Sequence, residues 1–546
     1  MKFDSSRNSK SLLCAWIIVA VFFCVCVIFP LVCVLTSAKI ADYWTVFTQP
    51  VWHSAMGNTF VQCICSSVLS VIVGYVFAYA VVKAEIPGKK FFSLVPIIHL
   101  ITPPFVGGLA FILLFGKQGF ITHTILGLDV SLYGFWGLLV AQVLSFFPMA
   151  FLICSQVLRG INTNIEQSAR SLGAGEFRIF LTVTLPLSWP GILSSFLFIA
   201  VSVLSDFGNP LIVGGRFRVL AVEIYTQLTG WLNIGTSAVL GIVLVIPSVI
   251  LFLLQNRISK KLEVKTATVG GKSYGIVQTN RVPVLTKIIL FSFVLIFSFF
   301  IIAQVIAIIA GSFQQLWGIN TKLTLKHILA ISNYGKELKN SVIFAMLSAV
   351  LSTVMATISS YLVHRTDVPL RKTLDVMAQL PSAIPGTLHG LSISIAANLL
   401  HFKNSTILII LAMTIAFMPF AYRIISNSFG QLGPNLDQSA RSLGANQLVS
   451  LLTVLVPLAR GGIFSGFVYD FIRGVGTLSA VIFLVSFKTP LASIQLINLA
   501  EQGAWGRAAA LAMILTLITF VILGMGLILG KIINIRAGNK NVISFY

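Results

Sequence analysis

Five polar residues interrupt apolar runs in this 546-residue chain. Asp206 and Asn209 lie in Ser205-Asp206-Phe207-Gly208-Asn209-Pro210, and Asp470, Arg473 and Thr477 surround Gly474-Val475-Gly476. Charge inside an apolar span is costly and marks a functional candidate by default. Carboxylate oxygen suits a hard cation, which makes Asp206 the candidate for a transient metal contact. Arg473, with Arg216 and Arg218 nearby, would suit an anion. Each residue also has a structural reading: Asp470 and Arg473, three apart on one helix, would satisfy each other, and Asp206 would cap a helix end. No firm metal site is legible. The seven cysteines sit in apolar runs, Cys24/Cys26 and Cys63/Cys65 are separated by one residue, and no His lies beside them. Gly271-Lys272-Ser273 resembles the end of a phosphate loop, but Thr266 occupies the place of its first glycine. No HExxH, Ser/His/Asp or CxxC arrangement appears, so the chain is not read as an enzyme.

The elements that must position these residues are membrane helices. With 57% hydrophobic and 10% charged residues, the chain is too apolar for a soluble globular protein. Apolar runs of the length a helix needs to cross a bilayer recur throughout. They are predicted at 12–35, 57–82, 91–116, 132–158, 191–213 and 237–256, then at 288–311, 339–363, 374–399, 405–425, 462–486 and 507–531. The first is too long for a signal-peptide core and reads as an uncleaved span. The net charge of +22 resides in the short segments between spans, which argues against a nucleic-acid partner. With a cytoplasmic N-terminus, 25 of the 37 Lys and Arg fall inside, so both termini are expected in the cytoplasm. The division expected is a first six-span repeat over 1–256, a basic cytoplasmic linker over 257–287 and a second six-span repeat over 288–546. Six spans per half make the repeats parallel, related by an axis along the membrane normal. Asp206 and Thr477 correspond in that repeat, so the two apolar runs break at matching places, which points to a transport path.

The repeat is most exact in a polar stretch between the fourth and fifth span of each half. Gln167–Ala174 and Gln438–Ala445 both read QSARSLGA, 271 residues apart, and the pairs from Asn164/Asn435 to Ile192/Ile463 hold 16 identities in 29 positions. The spacing of Ile165, Ala169 and Leu172 predicts a short amphipathic helix ending at Gly173, where glycine relieves a left-handed conformation. A second helical piece is expected from Gly175 towards Leu185, stopped by Pro186. The pattern alone fits a docking surface and a lipid-anchored interfacial helix equally well.

The spacing Gln167, Ser168, Ala169, Gly173, Val183, Leu185, Pro186, matched by Gln438, Ser439, Ala440, Gly444, Val454, Val456, Pro457, resembles the EAA loop of binding-protein-dependent ABC transporter permeases. The resemblance implies an all-α polytopic fold of the type I importer permease kind, with about 12 transmembrane helices as two fused parallel six-helix repeats. It implies that the first part of each loop is a coupling helix, docked on one of two copies of a cytoplasmic ATPase subunit. Glu166, Arg170, Asp437 and Arg441 would join the contact. Gln167 and Gln438 stand where the family has glutamate, and Ser168 and Ser439 where it has its first alanine. ATP and Mg²⁺ would sit on the partner and no cofactor on this chain. A periplasmic solute-binding protein would deliver solute through a permease of the bacterial inner membrane. The SDFGNPL and GTLSAVIFLV stretches are most similar to the ferric-iron subgroup. Thiamine, phosphonate or sugar phosphate cargo, or an ion-coupled secondary transporter, are the alternatives.

Overall fold

The structure, a computed structural model, describes residues 6–102, 104–128, 132–269, 282–433 and 435–536. In hydrocarbon every backbone polar group must be satisfied internally, and the apolar runs accordingly become helices. The first half comprises α1 (Leu12–Ser37, with a π turn at Cys24–Ile28), α2 (Pro50–Val82), α3 (Lys89–Ile101), α4 (Pro104–Phe115) and α5 (Phe135–Gly160). It continues with α6 (Thr163–Ser171), α7 (Glu176–Leu204), α8 (Gly208–Val213), α9 (Leu220–Thr229) and α10 (Ile234–Val269). The second half repeats the series as α11 (Val284–Phe313), α12 (Gly335–Arg365), α13 (Arg371–Gln379), α14 (Gly386–Leu399) and α15 (Ser405–Gln431). It ends with α16 (Asn435–Ser442), α17 (Gln447–Val475), α18 (Ala492–Glu501) and α19 (Trp505–Arg536). A two-stranded hairpin, β1 (Gln314–Leu316) and β2 (Asn320–Leu323), is the one β element among the described residues. Trp317 Nε1 in its turn donates to the Leu113 carbonyl of α4 at 2.8 Å, which ties the hairpin to the other half.

Each half is centred on a three-helix bundle, α2/α5/α7 and α12/α15/α17. Small residues set its closest approaches: a methyl added at Gly191 would collide with Val157, and one at Gly462 with Ser428. Both pairs are related by the 271-residue repeat, so the same crossing is built twice. The first helix of each half lies against the opposite half. α1 contacts α12 and α14, while α11 contacts α2, α3 and α4. Phe291, Phe297 and Phe300 of α11 meet Phe92, Phe147 and Phe115 with ring centroids 5.7, 5.7 and 5.9 Å apart. Aromatic packing of this kind adds about 0.5–1.5 kcal/mol per pair beyond area burial.

Among the described residues, eleven helices are long and apolar enough to cross a membrane, against the twelve spans read from the sequence. The difference is the run 374–399, which is not one helix. A 3₁₀ turn at Leu380–Ala383, with Pro381 and Pro385, divides α13 from α14. The expected third span breaks in the same way between α3 and α4, at Pro104, because proline lacks the amide that the helical ladder requires. The run 462–486 is corrected too: helix stops at Val475 and turns occupy most of 477–489, since Gly474 and Gly476 bracket its end. Pro186 does not stop the second helical piece of the loop. Helix runs through it, and the ladder widens instead into a π turn at Phe180–Thr184, repeated at Leu451–Leu455 before Pro457. A π turn accommodates the proline ring and its missing donor without ending the helix. Helix also enters the stretch read as linker, since α10 runs through Val269 and α11 begins at Val284; residues 270–281, with Gly271-Lys272-Ser273, lie outside the described residues.

Candidate functional site

The two duplicated loops are built alike. Asn162 caps α6 by accepting the Asn164 amide at 2.9 Å, and the helix ends at Ser171. Gly173 then adopts φ +84°, and its counterpart Gly444 adopts φ +85°. A Cβ at either glycine would meet nothing within 4 Å, so the left-handed backbone, and not space, calls for glycine here. Just before each glycine, Leu172 and Leu443 project outward, each 89% exposed. Ser168, Ser439, Pro186 and Pro457 are also exposed, Gln167 and Ala169 are half-buried, and Ala440 is buried. The side chains of Gln438 and Arg441 lie outside the described part of the structure.

Glu166 turns inward. It is buried and accepts two hydrogen bonds from Lys83 Nζ, at 2.9 and 3.0 Å, with a third from Thr184 Oγ1 at 3.0 Å. Lys83 is the residue that closes α2, so this ion pair clamps the loop to a core helix. The second loop repeats the clamp with different residues. Asp437 accepts from Arg365 Nη1 and from Ser450 Oγ, both at 3.4 Å, at the end of α12. Arg365 Nη2 donates to the Phe429 and Leu432 carbonyls, each at 2.6 Å, which fixes the end of α15 as well. The shorter aspartate is matched by the longer arginine. Arg170 bonds Glu176 across the glycine turn, Nε to Oε1 at 2.5 Å and Nη2 to Oε2 at 3.1 Å. That bond raises the guanidinium's pKa further and holds α6 against α7. Thus the carboxylates one position before Gln167 and Gln438 fasten the loops inward, and the leucines are the outward groups. The sequence places Leu172 in the apolar spacing of this helix without showing that it points outward, and it does not single out Lys83, Arg365 or Leu443. The two cations were counted as ordinary flanking charge, and nothing along the chain shows which face of a nine-residue helix is covered.

The two interrupted helices meet at a cavity of about 440 Å³ walled by both halves. Asp206, Asn209, Arg473 and Thr477 line it; Asp470 does not. Asp206 lies in the turn between α7 and α8, where its carboxylate accepts from Gln142 Nε2 at 2.9 Å and Asn209 Nδ2 at 3.0 Å. The Asn209 amide adds a longer contact at 3.4 Å, so Asp206 caps α8 and borders the cavity at once. Gln142 in turn accepts from Gln62 and Ser66 of α2 at 3.0 and 2.8 Å, a polar chain that reaches the core of the half. The expected Asp470–Arg473 pair does not form. Asp470 is buried against α12, where Ser352 Oγ donates to it, while Arg473, some 60° away around α17, faces the cavity. Arg423 and Gln255, on the parts of α15 and α10 nearer the loops, also line the cavity, so it extends from the breaks towards the loop end.

Beyond the breaks the cavity is closed by an apolar plug. Phe207, Leu478 and Ile497 are buried together, with Leu211, Tyr225 and Ile482 packed around them, so both halves contribute. Phe207 and Tyr225 meet edge to face at 5.3 Å, and Tyr225 reaches Phe483 of the other half at 6.0 Å.

Residues 70–264 and 365–531 match the family of binding-protein-dependent transport system inner membrane components. The chain is 33% identical over 455 residues to the ferric transport system permease protein of Actinobacillus pleuropneumoniae, covering 80% of this chain and 64% of that relative. It is 33% identical over 510 residues to a putative ferric transport system permease protein of Haemophilus influenzae, covering 88% of this chain and 78% of the relative. The molybdenum transport system permease protein of Escherichia coli is 30% identical over 190 residues, 34% of this chain but 82% of its own length. That relative spans roughly what one half of this chain spans.

Proposed function

Because this chain belongs to the family of binding-protein-dependent transport system inner membrane components, we propose that it passes ferric iron from a periplasmic binding protein into the cytoplasm. It is an ABC importer permease. Both loops then lie in the cytoplasm, one under each half, and each receives one ATPase subunit that carries ATP and Mg²⁺ and performs the hydrolysis. The observation that carries this reading is the pair of clamped loops: each presents one exposed leucine beside a left-handed glycine and is locked by a buried ion pair to the end of a core helix. Force applied at Leu172 or Leu443 therefore passes into α2 and α7, or α12 and α17, without a soft joint between. The plug faces the periplasm and opens when the binding protein delivers its load, so the cavity is reached from one side at a time. Iron as cargo rests on the relatives named for ferric transport.

The reading is tested by purifying the chain in detergent after co-expression with its cognate ATPase subunit. Two ATPase copies per chain are expected, and none after Leu172→Asp with Leu443→Asp. Cargo is tested by ATP-driven uptake into proteoliposomes holding the binding protein, with ⁵⁵Fe set against labelled thiamine and phosphonate. Entry of either organic solute without iron would refute the ferric assignment.

A further inference from the structure

The cavity wall is cationic. Its ionisable groups are Asp206, Arg423, Arg473, His99, His389 and Tyr469. The single carboxylate is already engaged by Gln142 and Asn209: Oδ2 accepts from both side chains and Oδ1 takes the longer contact from the Asn209 amide, so one carboxylate faces two guanidinium groups. Nor, among the described residues, do three His, Cys, Asp or Glu side chains gather closely enough to hold a metal ion. His389 Nε2 lies 3.0 Å from the Pro381 carbonyl, so that nitrogen is a donor and the ring is held by its own turn. Arg423 sits with its guanidinium 5.7 Å from the centre of the Phe252 ring.

Arg473 is different. Among the described residues it makes no hydrogen bond or ion pair, and its neighbour Asp470 is committed to Ser352. A guanidinium in a membrane interior without a partner is a site awaiting one. Its planar fork of donors matches a carboxylate or phosphate edge bidentately, and in a partly dehydrated cavity such charge-assisted bonds are strong. The hydroxyls of Ser205, Ser479 and Thr477 share the same wall and supply further donors.

We propose that this cavity receives its cargo as an oxyanion, or as a metal ion still carrying its oxyanion ligands, with Arg473 as the recognition group. The inference deepens the importer reading and rests on it for the route, but not on iron. A bare ferric ion would meet two guanidinium groups and one occupied carboxylate, which is repulsion with no compensating ligand set. A ferric ion wrapped in phosphate or citrate presents negative oxygen to the same wall.

The experiment uses the complete transporter in proteoliposomes, given ⁵⁵Fe(III) together with ³²P-phosphate or ¹⁴C-citrate. Anion label is expected to enter in step with iron. Arg473→Gln should reduce entry of both labels about tenfold, the loss of one charge-assisted bond, and Arg473→Lys should lose less. The melting temperature of each variant establishes that it is folded. Iron entering without either anion overturns the inference and leaves the importer reading intact. Anion entering without iron supports the inference and removes iron as the cargo. Wild-type rates in folded Arg473→Gln overturn it outright, as does a failure of any anion label to enter.

Discussion

Glu166 and Asp437 differ from each other, and so do their partners Lys83 and Arg365, yet each pair closes the same gap between a loop and the end of a core helix. Removing one member of a buried pair strands the other charge, whereas removing both can be nearly neutral. Lys83→Met should therefore destabilise the protein by about 3 kcal/mol, and Lys83→Met with Glu166→Leu should recover most of that loss. Thermal unfolding in detergent, followed by tryptophan fluorescence, reads both variants; additive losses would mean that the pair does not act as a clamp. The glycines make a separate point. With open space around Gly173 and Gly444, substitutions there are penalised only through φ. Asn should cost little and Val about 1–2 kcal/mol, in line with the steric penalty of the left-handed region. Gly173→Asp with Gly444→Asp places charge beside the exposed leucines, and ATP-driven uptake in membrane vesicles should fall to background. Uptake at the normal rate would remove these turns from the coupling path.

The π turns at Phe180–Thr184 and Leu451–Leu455 occur at the same place in both halves, immediately before Pro186 and Pro457. At this place each helix widens and passes its proline without ending, so each loop is continuous with α7 or α17. Pro186→Ala with Pro457→Ala restores the missing donors and favours a regular α ladder. That change rotates everything on the loop side of the turn by part of a residue's 100° relative to the core. The expected result is an importer that still binds its ATPase but transports more slowly, read as the ratio of uptake to ATP hydrolysed. An unchanged ratio would show that the π turn plays no part in transmission.

The halves are interlocked, because α1 and α11 each pack on the opposite half. Expressing 1–256 alone would leave the face that accepts α11 bare, and that fragment is expected to aggregate in detergent. The breaks and the plug also belong to both halves together. A disulfide between cysteines placed at Phe207 and Leu478, in a background without the exposed Cys14 and Cys24, should lock the plug. Uptake should stop on oxidation and return on reduction, whereas uptake unaffected by the cross-link would place the route elsewhere.

Much of this architecture is legible along the chain, because a bilayer imposes two simple rules: helices of sufficient length, and charge between them. Those rules, with an eight-residue repeat, determine the helical class, the parallel halves, the broken ends of α7 and α17 and the loops between the fourth and fifth spans. The rules fail where proline divides an apolar run. Composition does not distinguish a broken span from a whole one, and so 374–399 reads as one helix. What the tertiary structure alone decides is direction. Asp470 and Arg473 are three residues apart, but one faces Ser352 and the other the cavity. Glu166 and Leu172 lie six residues apart, on one short helix and at its end, but one is clamped inward and the other projects outward. Side-chain direction depends on which neighbour covers each face of a helix, and those neighbours lie dozens to hundreds of residues away.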